Sequence, residues 1–209
     1  MDASAWDERY AGVDQVWSTG PNQFVASELD GLAPARALDL GCGEGRNAIW
    51  LAQQGWQVTA LDFSQVAVDR GRRLAAGLPV TWQVGDVLTA DLPTVDLVVL
   101  AYLQLPADER RTAVRRSFAS LAPGGRLFVV AHDSTNLTEG TGGPQDPAVL
   151  YTADDVLTDL RGEPFDVVRA ERVARVVTPD DDHGTTPHGT TPHPGALTAW
   201  DALVHLTRS

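Results

Sequence analysis

The 209-residue sequence predicts an α/β fold: a doubly wound, mostly parallel seven-stranded sheet with helices on both faces and an antiparallel strand pair at the C-terminal end. Three features carry that expectation. Short apolar runs recur at residues 36–40, 57–62, 80–84, 95–101 and 127–131, at intervals that leave space for helices between them. These runs lack polar–apolar alternation, the pattern of strands covered on both faces in a parallel sheet. Residues 165–177 and 196–207 then read as two strands with no helix between them, so they pair antiparallel.

Taken in order, the chain opens with Trp6 and Tyr10, spaced i, i+4, so that a short helix presses both rings onto the body of the domain. A turn-rich link over residues 16–22 leads to a second short helix, and residues 1–32 read as a cap. Residues 36–132 form the core. Within it Ser64 precedes a helix over 65–76, and Pro106-Ala107-Asp108-Glu109 opens another, on which Val114, Phe118 and Leu121 share a face. Acids at its start and arginines after them suit the helix dipole. Beyond 133 come a lid-like stretch, a helix over 153–160 and the two last strands. The whole reads as one domain, since this length leaves little room for a second core.

Composition narrows the chemistry. With 43% hydrophobic residues the chain can bury a sizeable core. Sixteen basic against 28 acidic residues give a net charge of −12, a field that repels nucleic acid and anionic membranes alike. Every basic residue is arginine, which excludes a lysine Schiff base and a P-loop nucleotide site. One cysteine, Cys42, makes neither an internal disulfide nor a zinc knuckle, and no apolar run is long enough to span a bilayer. A cytoplasmic protein is expected.

The strongest motif is Leu38-Asp39-Leu40-Gly41-Cys42-Gly43-Glu44-Gly45-Arg46-Asn47, a strand running into a glycine turn and a helix. Glycine serves where φ turns positive or a ligand touches backbone, and the helix N-terminus favours an anionic group. The spacing is G-x-G-x-G, with Arg46 where a dinucleotide fingerprint places its third glycine. Asp62 ends the second strand beside this loop, within reach of a ribose diol, and Phe63 follows with a ring suited to an adenine face. Gly85-Asp86-Val87 after the third strand offers a carboxylate to an adenine amino group. One glycine loop followed by two strand-closing acids describes a ligand that contains a nucleoside. Each acid also reads as a helix cap, and Phe63 as core.

These elements resemble the class I S-adenosylmethionine-dependent methyltransferases, in LDLGCGEGRNAIWLAQQGWQVTALDFS, GDV and LAPGGRLFVV. The likeness covers residues 36–132, and the terminal strand pair agrees with that Rossmann-like fold. The GRN continuation, WDERY and the W-x-x-GPN stretch are similar to the branch with tellurite-resistance and thiopurine-type enzymes. The resemblance implies S-adenosyl-L-methionine as cofactor, with Asp39, Gly41, Gly43 and Gly45 around its methionine part. It implies Asp62 on the ribose hydroxyls and Phe63, Gly85, Asp86 and Val87 around the adenine. Ala101 and Tyr102 end the fourth strand at the switch point, where the methyl group meets its acceptor. Arg46 pairs with the methionine carboxylate or forms a structural salt bridge. Trp17, toward the cofactor, and Asn22, toward the substrate, close the entrance or simply pack.

Methyl transfer from a sulfonium is an in-line displacement, for which positioning supplies about 7–11 kcal/mol. A thiol, selenol or telluride needs no base; an alcohol does. His132, beside Asp133 at the end of the fifth strand, is the candidate base, or else an edge histidine bonded to its loop. Residues 134–151, with Gly140, Gly142, Gly143, Pro144 and Pro147, suit a mobile lid. HGTTP repeats at 183–187 and 188–192, and its histidines beside Asp180, Asp181 and Asp182 read as a slipped duplication in a loop, with no metal site implied. The expected partner is a small-molecule acceptor. The alternatives are an NAD(P)-dependent oxidoreductase, disfavoured by the missing third glycine, and a non-catalytic nucleoside-binding domain.

Overall fold

The computed structural model describes residues 6–8, 10, 20–177 and 197–209. Its elements are α1 (Gln23–Leu29), β1 (Arg36–Leu40), α2 (Arg46–Gln53), β2 (Gln57–Asp62), α3 (Gln65–Leu74), β3 (Val80–Val84) and β4 (Val95–Ala101). There follow α4 (Ala107–Ala119), β5 (Leu121–His132), the short α5 (Asn136–Glu139), a 3-10 turn (Pro147–Val149), α6 (Ala153–Asp159), β6 (Phe165–Val177) and β7 (Leu197–Arg208). One seven-stranded sheet runs in the order β3-β2-β1-β4-β5-β7-β6. All pairings are parallel except those of β7 with β5 and with β6. The expected topology is the observed one, and β5 begins six residues earlier than its apolar run.

Local chemistry sets the helix ends. Ser64 caps α3 by accepting the Ala67 N–H, and Thr152 and Asp155 form a reciprocal capping box on α6. α2 starts differently, at Gly45 with φ +81° and no cap from its own N-cap side chain, and the Ala48 N–H of its first turn is met by Asp39.

The strands divide their side chains between two apolar clusters, one on each face. Leu38, Leu40, Val98, Leu100, Leu127 and Val129 pack with Phe118 of α4 and Val156 of α6. Ala37, Leu97, Val99, Phe128, Val130 and Leu203 pack with α1 and α2 through Val25, Leu29, Ala48 and Leu51. Alternation along a strand then assigns the polar residues. Asp39 shares parity with Ala37, His132 with Val130, and Asp201 with Leu203. All three fall on the α1/α2 face, at the C-terminal rim of the parallel strands where doubly wound sheets bind ligands.

Residues 134–151, expected as a mobile lid, are tied down along their length. Buried Asn136 accepts the Trp200 N–H at 2.8 Å and donates to the Gly142 carbonyl at 2.8 Å. Arg172 bonds Glu139 at 2.6 Å and stacks on Trp200, and Gly143 is buried against the His132 ring. The glycines here permit close backbone packing as well as turning.

Candidate active site

β1 delivers Asp39 to the rim and then turns through Gly41, Gly43 and Gly45, at φ +67°, +55° and +81°. Three alternating left-handed residues require glycine. Nearby protein groups press on two of them: a Cβ on Gly41 would lie 3.0 Å from Leu103, and one on Gly45 only 2.1 Å from the Trp82 ring of β3. The Gly43 N–H donates to Asp62 Oδ2 at 2.7 Å, while the other Asp62 oxygen accepts the Ser64 N–H at 2.9 Å. Asp62 therefore clamps the loop and starts α3 before any ligand arrives. Burial pushes its carboxyl up, against the pull of the Ser64 and Gly43 N–H groups.

Asp39 is the unusual group of this rim. It is 1% exposed, and its Oδ2 has no hydrogen-bond partner. Burial raises its pKa to about 7, although the Ala48 N–H opposes the shift; Asp62 adds to it and Arg46 subtracts. An orphaned carboxylate oxygen in a glycine-lined rim is a place for a cation.

Along the same rim Phe63 is half-buried, Val87 is buried in the core, and Gly85 donates to the Asp62 carbonyl at 3.0 Å. Asp86 is exposed and uses one oxygen to accept the Leu88 N–H at 2.8 Å, so it acts as a turn-former with its second oxygen outward. The N-terminal segment docks beside them: Ser64 Oγ donates to Asp7, and Arg70 donates to the Tyr10 carbonyl at 2.9 Å. Trp6 and Tyr10 pack onto the domain at Ala67 of α3, their rings tilted and 5.7 Å apart. Asn22 is buried at the N-cap of α1, accepting the Phe24 and Val25 N–H groups, and its own N–H donates to Asn47. Its side-chain oxygen is thus engaged in helix capping. Trp17 and the HGTTP repeat lie outside the described residues.

The other half of the rim is a charged cluster. Tyr102, just past Ala101 at the end of β4, has φ +59°, alone among the described non-glycine residues in being positive. Its hydroxyl donates to Asp201 Oδ2 at 2.8 Å, and Arg175 Nε of β6 donates to the same oxygen at 2.8 Å. The remaining Asp201 oxygen stands 3.3 Å from His132 Nδ1, an ion-pair distance, and neither atom makes a hydrogen bond. Asp201 and His132 are also register partners across β7 and β5. Burial pushes the Asp201 carboxyl up, but His132 and Arg175 outweigh it and hold the group below its ordinary range. Burial pushes Tyr102 up, reinforced by Asp201. Arg46 bridges the two halves: burial lowers its pKa, while Tyr102 and Asp39 support its charge and Arg175 opposes it.

A methyltransferase domain family matches residues 37–125, which include the glycine loop, Asp62, Asp86 and the end of β4. An uncharacterized methyltransferase of Mycobacterium tuberculosis is 33% identical over 133 residues, 61% of this chain and 66% of that protein. Residues 37–125 are thus a methyltransferase domain of the S-adenosylmethionine-dependent kind. A ubiquinone biosynthesis O-methyltransferase of Xanthomonas euvesicatoria is 32% identical over 183 residues, 85% of this chain and 64% of the relative. The chain thus spans just under two thirds of each relative. Among solved structures, the N-methyltransferase NodS from Bradyrhizobium japonicum, in complex with S-adenosylhomocysteine, superposes with a TM-score of 0.69 at 21% identity, covering 99% of both chains. TehB from Haemophilus influenzae gives 0.72 at 15%, covering 99% of this chain and 67% of the other. These two likenesses show the shared fold and do not divide the methyltransferases into branches.

The rim fits this family's cofactor on its own evidence. Asp39 Oδ2 offers a buried, unpartnered anion for the methionine ammonium, and the N-terminus of α2 opens beside it. Sequence reading placed Tyr102 and His132 at the rim but missed Asp201, Arg175 and Trp82. A signal existed for Asp201, the one acid of its strand, at the same parity as Ala199 and Leu203. The antiparallel pairing of β6 with β7 was expected, but no signal gave the register that brings Arg175 to it.

Proposed function

We propose that the protein transfers a methyl group from S-adenosylmethionine to a small-molecule acceptor. The observation that carries this reading is the adjacency of two sites on one rim: the glycine loop with the orphaned Asp39 carboxylate, and the buried cluster at Tyr102. In it Asp39 takes the ammonium, Asp62 keeps the loop closed and turns its remaining lone pairs to the ribose, and Phe63, Gly85, Asp86 and Val87 border the adenine. Gly41, Gly43 and Gly45 shape the wall of the methionine end, and Arg46 lies where a carboxylate is neutralised. Ala101 and Tyr102 bound the space in which donor and acceptor meet. The bound cofactor supplies an electrophilic methyl group on a sulfonium; the chain's task is alignment and exclusion of water.

A small acceptor is supported by the net charge of −12, which disfavours nucleic acid, and by the O-methyltransferase relative, whose named pathway handles a small molecule. Among the described residues no helix is long and apolar enough to cross a membrane. A thermal-shift comparison tests the cofactor: S-adenosylhomocysteine stabilises the protein and NAD or NADP does not. Stabilisation by the nicotinamide nucleotides alone overturns the reading.

A further inference from the structure

We infer that His132 and Asp201 form a proton-abstracting pair for a hydroxyl acceptor, with His132 as the catalytic base and Asp201, Arg175 and Tyr102 as positioning residues. This rests on the methyl-transfer reading above and names the acceptor class for that site.

The geometry supplies each part. Nδ1 of His132 is buried against Asp201 Oδ1 at 3.3 Å, and Gly143 covers the same ring. The side chain is 13% exposed, and Nε2 is not among the buried, unpartnered atoms, so it is the nitrogen that remains open to the rim. Asp201, fully buried, faces Nδ1, and a ring proton held on that side leaves Nε2 as an acceptor, which is the tautomer a base requires. Arg175 Nε and the Tyr102 hydroxyl both fix the opposite oxygen, and the Tyr102 ring lies 4.8 Å from the imidazole. The His132 backbone N–H donates to Gln104 Oε1 at 2.9 Å, which ties the end of β5 to the turn after β4. The charged or titratable groups around the ring are thus Asp201 from β7, Tyr102 from the end of β4, Arg175 from β6 and, beyond Tyr102, Arg46 from α2.

Burying a carboxylate this completely is costly unless each oxygen is paired. A thiol or selenol acceptor ionises unaided and has no use for such a pair, whereas a phenolic or enolic hydroxyl must lose its proton as it attacks. In the proposed step the acceptor O–H bond breaks and its proton passes to His132 Nε2. The oxygen lone pair forms the new C–O bond, and the C–S electrons return to sulfur. The imidazolium, stabilised by Asp201, then releases its proton to water.

Two measurements test this. On the cofactor-free protein, ¹⁵N NMR of histidine-labelled material reads the tautomer, with His132→Gln assigning the signal among the chain's five histidines. Wild type carries the proton on Nδ1. In Asp201→Asn the amide oxygen stays with Arg175 and Tyr102, the amide N–H turns to Nδ1, and the ring proton moves to Nε2. A wild-type ring protonated on Nε2 overturns the proposal. The second measurement is methyl transfer to phenol and catechol against thiophenol. With a hydroxyl probe kcat/KM rises with pH to a plateau; Asp201→Asn lowers kcat by about 100-fold or more and alters that profile, while thiophenol loses at most a few-fold. Equal losses on both, an undiminished hydroxyl rate, or product from thiophenol alone overturns it. Failure on every probe while S-adenosylhomocysteine still binds overturns the hydroxyl assignment only; loss of that binding in wild type overturns the underlying reading. Should Asp201→Asn not fold, His132→Gln, a partly exposed side chain, carries the same acceptor comparison.

Discussion

The two halves of the rim are built on opposite plans. On the β1–β3 side the contacts are local in sequence: Gly43 and Asp62 are 19 residues apart, and Asp62 and Ser64 only two. On the β4–β7 side Tyr102 and Asp201 are 99 residues apart, and Arg175 reaches Asp201 across a strand pair. In the proposed function the first half holds the cofactor, a ligand shared by a whole family, on a compact motif. The second assembles charges from three distant strands, where changing one residue changes the chemistry without disturbing the motif.

That contrast can be broken by substitutions that separate stability from binding. The largest effect is expected away from both sites, at the buried pair of Arg110 with Asp159, whose side chains are 9% and 1% exposed and 2.7 Å apart. Asp159→Ala strands the guanidinium and should cost about 3–5 kcal/mol in urea unfolding, with no change in S-adenosylhomocysteine affinity once folded. Next comes Gly45→Ala, where a left-handed backbone and the Trp82 ring both oppose a methyl group. We expect a loss of about 3 kcal/mol, part of it recovered when Trp82→Ala is added. A single variant as stable as wild type contradicts the packing account of that glycine.

Asp62→Ala should weaken S-adenosylhomocysteine binding on the order of 100-fold by calorimetry, since it removes charged hydrogen bonds from loop and ligand. The His132 tautomer should not change. If it does, the halves are one unit and the comparison fails. Thr152→Ala, which removes the α6 cap behind the acceptor side, should cost about 1 kcal/mol and affect neither site.

How far the sequence alone reaches follows the same division. Strand positions were readable because a parallel sheet writes its buried runs plainly, and Asp62 and Asp86 were readable because one ends a strand and the other follows one, whereas Asp39 was readable only through the resemblance of its motif. What escaped depends on register and depth. Asn22 looked like an entrance residue and is a helix cap, because its neighbours' free N–H groups claim it. The glycines of 134–151 suggested a lid, yet Asn136 and Arg172 pin that stretch to β7 and β6. Asp201 required knowing which way a strand faces and what lies beside it.

Asp39 gives the most direct test of the central claim, that this rim binds the methionine part of the cofactor. Its folded-state pKa of about 7 lies above that of the unfolded chain, so it binds a proton in the folded state between roughly pH 4 and 7. The cofactor-free protein therefore loses stability as pH rises through that window, by up to about 1.4 kcal/mol per unit from this group. A bound ammonium restores the charged form, so binding should release a proton there. The measurement is calorimetric titration with S-adenosylhomocysteine near pH 6 in buffers of different ionisation enthalpy. We predict one site per chain, proton release in wild type, affinity that tightens as pH approaches 7, and neither effect in Asp39→Asn. Binding with no proton release, or release that persists in Asp39→Asn, would contradict the account.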